Sequence, residues 1–415
     1  MKIDALAVLV LADIKESFGK HIFRLGKSFQ KNILTNIEPD INNFDTNNVI
    51  IIMCLNIINI ILMKLNSHNE WDTLKEIIIG MPNARANLIF KKPVSRKVMK
   101  QVEKLASEAY PKKILDEVEE DLEGLCDVIK DFGVKIYRPK VSDIHRVFST
   151  PYFNASAEHA FTPRDLYLVV GETVIETPSQ EKHRYFEAQA YYDIMYHYLA
   201  EGSRWIAGPK PKLKKEYPHL DDEILFEAAT VVRMNKDILY LVSRSGNQLA
   251  AKWLQNVIGE QYRVHTTDKI YRDTHIDSTV LCLKKGLVLL NASRVNKNNC
   301  PPVFNNWEKI WFKKIMPYPH EILDFHRNVR LKIYAKLLKL GFKSNLNCIH
   351  SEWVGMNLLS LDPNTVVVDK NQTHLIKILE KRGITCIPIS FRYSYLMGGI
   401  HCCTLDTVRD SSLES

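Results

Sequence analysis

The sequence has no CxxC pair, and its eight cysteines, at positions 54, 126, 282, 300, 348, 386, 402 and 403, follow no regular spacing. A structural zinc site needs clustered ligands and a disulfide framework needs patterned cysteines, so neither a metal nor bridges are expected, and a reducing, cytoplasmic setting fits. Concentrated basic charge is also scarce. The formal charge is +8 over 415 residues, yet Lys and Arg are dispersed rather than interleaved with aromatics. The two local concentrations, near 91–100 and 210–215, lie beside acidic helical segments and read as solvated faces, which argues against a nucleic-acid partner. The most apolar run, 49–65, is short for a bilayer and is interrupted by Asn56 and Asn59, so membrane contact is not expected. No charged start followed by a small-residue cleavage site marks a secretory signal.

What is present is material for a large core. Hydrophobic residues make up 46% of the chain, and the length suits two or three domains. The Asn- and Ile-rich stretch 32–61 differs in texture from the rest of the chain, with a sharp change after Met63. Residues 1–65 are expected to be a dispensable N-terminal extension, and 66–415 the working domain.

From Trp71 onward the pattern is α/β. The run 74–80 reads as a strand and 96–132 as one helix with Ala106, Ile114, Val118, Leu122, Leu125 and Ile129 along one stripe. Residues 181–199 read as an aromatic-rich helix whose Tyr185, Phe186, Tyr191, Tyr192 and Tyr196 go to the core. Residues 303–345 read as basic, aromatic and irregular.

Several chemistry-bearing residues fall at strand mouths. Asp165 lies in a polar turn running into an apolar strand. Glu227 is embedded in the apolar run 224–232, where a lone carboxylate is costly unless paired. His275 and Asp277 are two apart, and in a strand they would share a face. Gly398 and Gly399 turn the chain sharply ahead of Cys402. A free thiol is only a few per cent thiolate at neutral pH, so this cysteine needs a base or a positive field. The recurrence of such residues after similar strand–helix blocks suggests quasi-repeated ββαβ modules facing one centre. Cysteine, histidine and surplus carboxylates together suit a planar cationic substrate such as a guanidinium.

Eight stretches then resemble the amidinotransferase family, which includes L-arginine:glycine amidinotransferase. They are HNEWDTLKEIIIG (68–80), PRDLYLVVGETVIETP (163–178), GSRWIAGPKPKL (202–213), LYLVSRSGNQLAAKWLQ (239–255), THIDST (274–279), GLVLLNASRVN (286–296), SEWVGMNLL (351–359) and GGIHCCTLD (398–406). The likeness is greatest to the branch that amidinates inosamine phosphates in streptomycin synthesis or intermediates of saxitoxin-like toxins. It implies a five-bladed α/β propeller, the pentein fold, and a ping-pong reaction without a cofactor. Cys402 would attack the guanidino carbon of L-arginine, His275 would serve as acid and then base, and Glu227 would orient His275. Asp165 and Asp277 would hold the guanidinium, and Arg294 and Ser351 the donor's carboxylate end. L-Ornithine would leave and a small amine acceptor would take the amidino group; the family also implies a homodimer.

Three departures from the family pattern stand out. Glu227 replaces its usual Asp, Met397 replaces one glycine of its Gly-Gly-Gly turn, and 312–348 is longer than in close relatives; a fourth, Thr162 for the Cys of its Cys-Pro-Arg-Asp, leaves Asp165 in place. A guanidino hydrolase or deiminase of the same fold, or a catalytically inactive homologue, are the alternatives.

Overall fold

The computed structural model describes residues 64–82, 89–90, 95–140, 147–156, 160–214, 221–344 and 346–413. The expected extension therefore lies outside the described residues but for its last two positions. Leu65 is fully buried and its N–H donates to Ser203 Oγ at 2.9 Å, so the packed domain begins no later than this residue.

Runs that are apolar on both faces become strands covered on both sides. Tyr167–Val170 pairs antiparallel with Thr173–Glu176, which pairs in parallel with Arg204–Ala207 after a crossover containing the helix Tyr192–Ala200. The same order recurs in Val231–Met234, Asp237–Leu241 and Arg263–Thr267, joined by the helix Gln248–Ile258. That helix starts where Asn247 Oδ1 accepts the Ala250 N–H at 2.9 Å, the usual role of an N-cap side chain. A third module comprises Val280–Lys284, Leu287–Asn291 and Glu308–Phe312. A fourth comprises Leu359–Asp362, Thr365–Asp369 and Thr385–Ile389 around the helix Thr373–Glu380. The fifth takes its first strand, Thr404–Arg409, from the far end of the chain and lays it antiparallel to Leu74–Ile79, which pairs in parallel with Lys135–Tyr137. This is the expected five-bladed propeller of ββαβ modules. A small antiparallel sheet of Ile89–Phe90, Asn154–Ser156 and Val147–Ser149 stands outside the repeat.

Several local expectations are corrected. The stretch 96–132 is two helices, Arg96–Glu108 and Lys112–Asp131, because Pro111 has no N–H to continue the ladder and restricts Tyr110. The stripe itself is as expected, with all six named residues buried. The aromatic segment begins as 3₁₀ turns, Lys182–Arg184 and Glu187–Tyr191, before its helix. Tyr191 is buried, but Tyr196 is 54% exposed. The supposedly irregular 303–345 contains a blade strand and two helices, His320–Phe325 and Leu331–Lys339, joined by a π-helical turn, His326–Arg330. Ile322, Ile333 and Leu337 from this insert join Val102 and Ala106 in one core cluster. Prolines at 317 and 319 mask the helical spacing that comes after them. Met397, just before the glycine turn, is buried in the same cluster.

The blades are tied together by buried charge. Asp406 accepts from Arg164 Nη2 (2.7 Å), Arg233 Nη2 (2.7 Å) and Arg409 Nε (2.6 Å), and Glu70 pairs with Arg233 Nε at 2.8 Å. Burial opposes ionisation of Asp406, but the three guanidinium groups hold its carboxyl well below the usual carboxylate range. Asp406→Asn leaves buried cations short of their counter-charge and is expected to cost about 3–5 kcal/mol, read by chemical denaturation at pH 7. In the wild type the contribution is complete above about pH 4, the unfolded value, and is lost as pH falls from there through the lower folded value. Equal unfolding midpoints for the two proteins at pH 7 would contradict this assignment.

Candidate active site

Each blade places one polar residue just ahead of its first strand. Asp165 precedes Tyr167, Glu227 precedes Val231, Asp277 precedes Val280, Asn357 precedes Leu359, and Cys402 precedes Thr404. The repeat therefore gathers its five contributions at one pole. Asp165 sits in a one-turn helix, Pro163–Leu166, rather than an open turn. Glu227 lies before its strand and not within it, in extended backbone leading into the 3₁₀ turn Ala228–Thr230. His275 and Asp277 are in a loop with no strand alternation. Their convergence comes from that loop's winding, so the face argument from sequence does not apply.

Cys402 is 8% exposed, and its thiol donates to Asp277 Oδ2 at 3.3 Å. Its position depends on Asn357, whose Oδ1 accepts the N–H groups of His401 (2.7 Å) and Cys402 (3.1 Å). The glycines before it are structurally required. Gly398 has φ +118°, and a Cβ on Gly399 would lie 2.5 Å from Asn357 Oδ1. His401 Nδ1 lies 3.3 Å from the same Asp277 oxygen that faces the thiol.

His275 Nε2 is 2.6 Å from Glu227 Oε2, and Nδ1 is 3.5 Å from Asp165 Oδ1. The extra methylene of Glu227 is thus absorbed while its carboxylate still meets the imidazole. Ser179 Oγ donates to the other oxygen, Oε1, at 2.7 Å. Arg184 spans both acids, with Nη1 2.9 Å from Asp165 Oδ2 and Nε 3.3 Å from Glu227 Oε1. Asp165 Oδ1 is buried and receives no hydrogen bond.

The charges explain the protonation states. Burial disfavours an imidazolium, but Asp165 and the hydrogen bond and charge of Glu227 outweigh it and lift His275 to about 9. Burial likewise opposes the Asp277 anion, yet His401 holds it well below the carboxylate range. Burial, then the Asp277 and Asp165 charges, push the Cys402 thiol well up. Three carboxylates, Asp165, Glu227 and Asp277, gather around Arg184 and a protonated His275, and burial raises the Asp165 carboxyl. The unliganded site favours a cation and keeps its sulfur protonated.

Asp277→Asn tests this electrostatic account. It removes the charge nearest the thiol, so iodoacetamide should alkylate Cys402 about tenfold faster at neutral pH, one pKa unit being one decade of thiolate. An unchanged alkylation rate would assign the high thiol pKa to burial and Asp165 without Asp277.

Arg294 and Ser351, paired in the sequence reading, do meet: Arg294 Nη2 donates to Ser351 Oγ at 3.0 Å, and Nη1 to Thr279 Oγ1 at 2.8 Å. The guanidinium lies 3.7 Å above the Tyr271 ring. Sequence reasoning missed Arg184, Ser179, Asn357 and His401. Asn357 was findable, since the blade repeat demands a residue ahead of Leu359.

No family model matches the chain. Inosamine-phosphate amidinotransferase 1 of Streptomyces griseus is 39% identical over 359 residues, covering 82% of this chain and 96% of that protein. The chain belongs to the amidinotransferase family. A solved inosamine-phosphate amidinotransferase structure from S. griseus superposes on this amidinotransferase with TM-score 0.71 and 37% identity, over 84% of this chain and 98% of that one. The L-arginine:L-lysine amidinotransferase of Pseudomonas savastanoi is 29% identical over 372 residues, covering 84% of this chain and 95% of its own. Among the described residues no helix is long and apolar enough to cross a membrane.

Proposed function

We propose that this amidinotransferase takes the amidino group of L-arginine onto Cys402, releases L-ornithine, and passes the group to a small amine by a ping-pong route. The observation that carries the reading is a buried thiol against Asp277, in a carboxylate-lined site with a histidine kept protonated at neutral pH. The name of the Pseudomonas relative gives arginine as its donor. The names of the S. griseus enzymes point to a phosphorylated aminocyclitol of secondary metabolism as the acceptor class.

The donor guanidinium lies between Asp165 and Asp277, with the orphaned Asp165 Oδ1 as one of its acceptors. Binding replaces a negative field at sulfur by a positive one, so the thiol loses its proton to solvent only once the substrate is in place. The thiolate attacks the guanidino carbon. The C–N bond to ornithine breaks and His275 gives that nitrogen its proton, leaving a cationic S-amidino-cysteine. Neutral His275 then takes a proton from the acceptor amine as it attacks. The C–S bond breaks and the thiolate is restored. Arg294 and Ser351 receive the donor's α-carboxylate, and Glu227, fixed by Ser179 and Arg184, holds the imidazole through both steps.

The test is incubation with L-arginine and no acceptor. The expected result is one equivalent of ornithine and a mass gain of one amidino group per chain. Continuous citrulline or urea would make the protein a hydrolase instead, and neither product nor adduct would make it a silent homologue.

A further inference from the structure

The insert that lengthens the chain between its third and fourth blades carries a buried arginine unlike the others. Arg164, Arg233 and Arg409 are each neutralised by Asp406 or Glu70. Arg330 is equally inaccessible, at 1% exposure, yet no carboxylate pairs with it among the described residues. Its Nη2 donates to Tyr110 Oη at 3.0 Å, and its guanidinium lies 5.1 Å from the Tyr110 ring centroid. Nε and Nη1 are buried and have no acceptor. A buried cation with open donors and no counter-ion is expensive, and such groups persist where an anion completes them.

Three further observations point to a ligand. Arg330 closes the π-helical turn His326–Arg330, a distortion frequent at functional sites. His326, at the other end of that turn, also has a buried Nε2 without a partner. The insert runs on through 346–350 directly into Ser351, the partner of Arg294.

We infer that Arg330, with His326 and Tyr110, forms an anion subsite that takes the phosphate monoester of the acceptor. The open Nε and Nη1 lie on different edges of the guanidinium. They suit a tetrahedral group with oxygens in several directions better than a planar carboxylate. The acceptor assignment rests on the proposed amidino transfer; the anion site itself does not.

The experiment uses the full chain, Arg330→Gln and Arg330→Lys. In thermal unfolding, inorganic phosphate should stabilise the wild type and leave Arg330→Gln unmoved. Without phosphate, Arg330→Gln should melt at or above the wild-type temperature, since it removes an uncompensated cation; a marked fall in phosphate-free buffer would make Arg330 a structural residue and overturn the site. In the acceptor half-reaction, Arg330→Gln should raise KM for a phosphorylated aminocyclitol about ten- to a hundredfold. KM for the dephosphorylated counterpart and ornithine release from L-arginine alone should be unchanged, with Arg330→Lys restoring part of the loss. No phosphate stabilisation of the wild type overturns the anion site. Stabilisation with equal KM for both acceptors overturns the acceptor assignment and makes the site one for free phosphate. If neither protein releases ornithine, the functional reading has failed, and the phosphate melts still decide the site.

Discussion

Cys402→Ala should show no ornithine release and no mass gain with L-arginine, a loss of about 10⁵-fold or more, while its unfolding midpoint stays within about 1 kcal/mol of wild type. The size reflects the absence of a substitute nucleophile. Cys403 is next in sequence, but its side chain turns into the core and its thiol donates to Ile400 O at 3.3 Å. Burial also pushes the Cys403 thiol up, and no carboxylate pair faces it that a cationic substrate could neutralise. Cys402→Ser keeps the hydrogen bond to Asp277 but offers a far weaker nucleophile, so it should bind arginine without transfer. The two variants together separate chemistry from binding. Cys402→Ala at wild-type rate would remove the covalent route and leave direct transfer between two bound substrates, which initial-rate patterns would show as intersecting rather than parallel lines.

The thiol's high pKa makes this more than a knock-out. Alkylation of wild-type Cys402 should be slow without ligand and faster with a non-reactive guanidinium occupant, because the cation cancels the Asp277 and Asp165 fields. In the proposed reaction the nucleophile is thus generated where and when its target is present. It is protected from oxidation otherwise, since reactivity follows thiolate character.

Much of the fold and site is legible in the sequence alone. The first strand 167–170 is apolar at every position because it is covered on both faces, whereas 231–234 and 404–409 carry the buried Arg233, Asp406 and Arg409. The residues that carry charge into an apolar context, Asp165 and Glu227, stand out because burying a carboxylate is costly. Other parts are hidden for physical reasons. Arg184 reads as a surface charge on an assumed helix, whereas its 3₁₀ turn points it inward to span Asp165 and Glu227. The pairing of Arg294 with Ser351 joins residues 57 positions apart, and only the family resemblance brings them together. The insert is unreadable because its helices come after closely spaced prolines and carry lysines on the outer face.

Glu227→Gln should lower single-turnover ornithine release about 10³–10⁴-fold at pH 8, with far smaller effect on arginine binding. An amide in this place keeps the shape but loses the charge that holds the histidine protonated and in one tautomer, and losses of this order attend the same change in an acid–histidine pair elsewhere. The pH profile gives the sign. In the wild type, His275 is held at about 9, so the acid proposed to protonate ornithine is present through neutrality and is lost as pH rises past that value. Removing the Glu227 anion takes away an interaction that raises the pKa, while burial, which lowers it, remains. The alkaline limb should therefore move down by more than one unit, and the variant should recover part of its activity as pH falls below 7. The acceptor step has the opposite requirement, a neutral imidazole, and a lower pKa supplies more of it. Glu227→Gln should therefore lose less in the acceptor half-reaction than in the donor half-reaction at neutral pH. Equal losses in both, with an unmoved alkaline limb, would reduce Glu227 to a packing role and return the protonation of His275 to Asp165 alone.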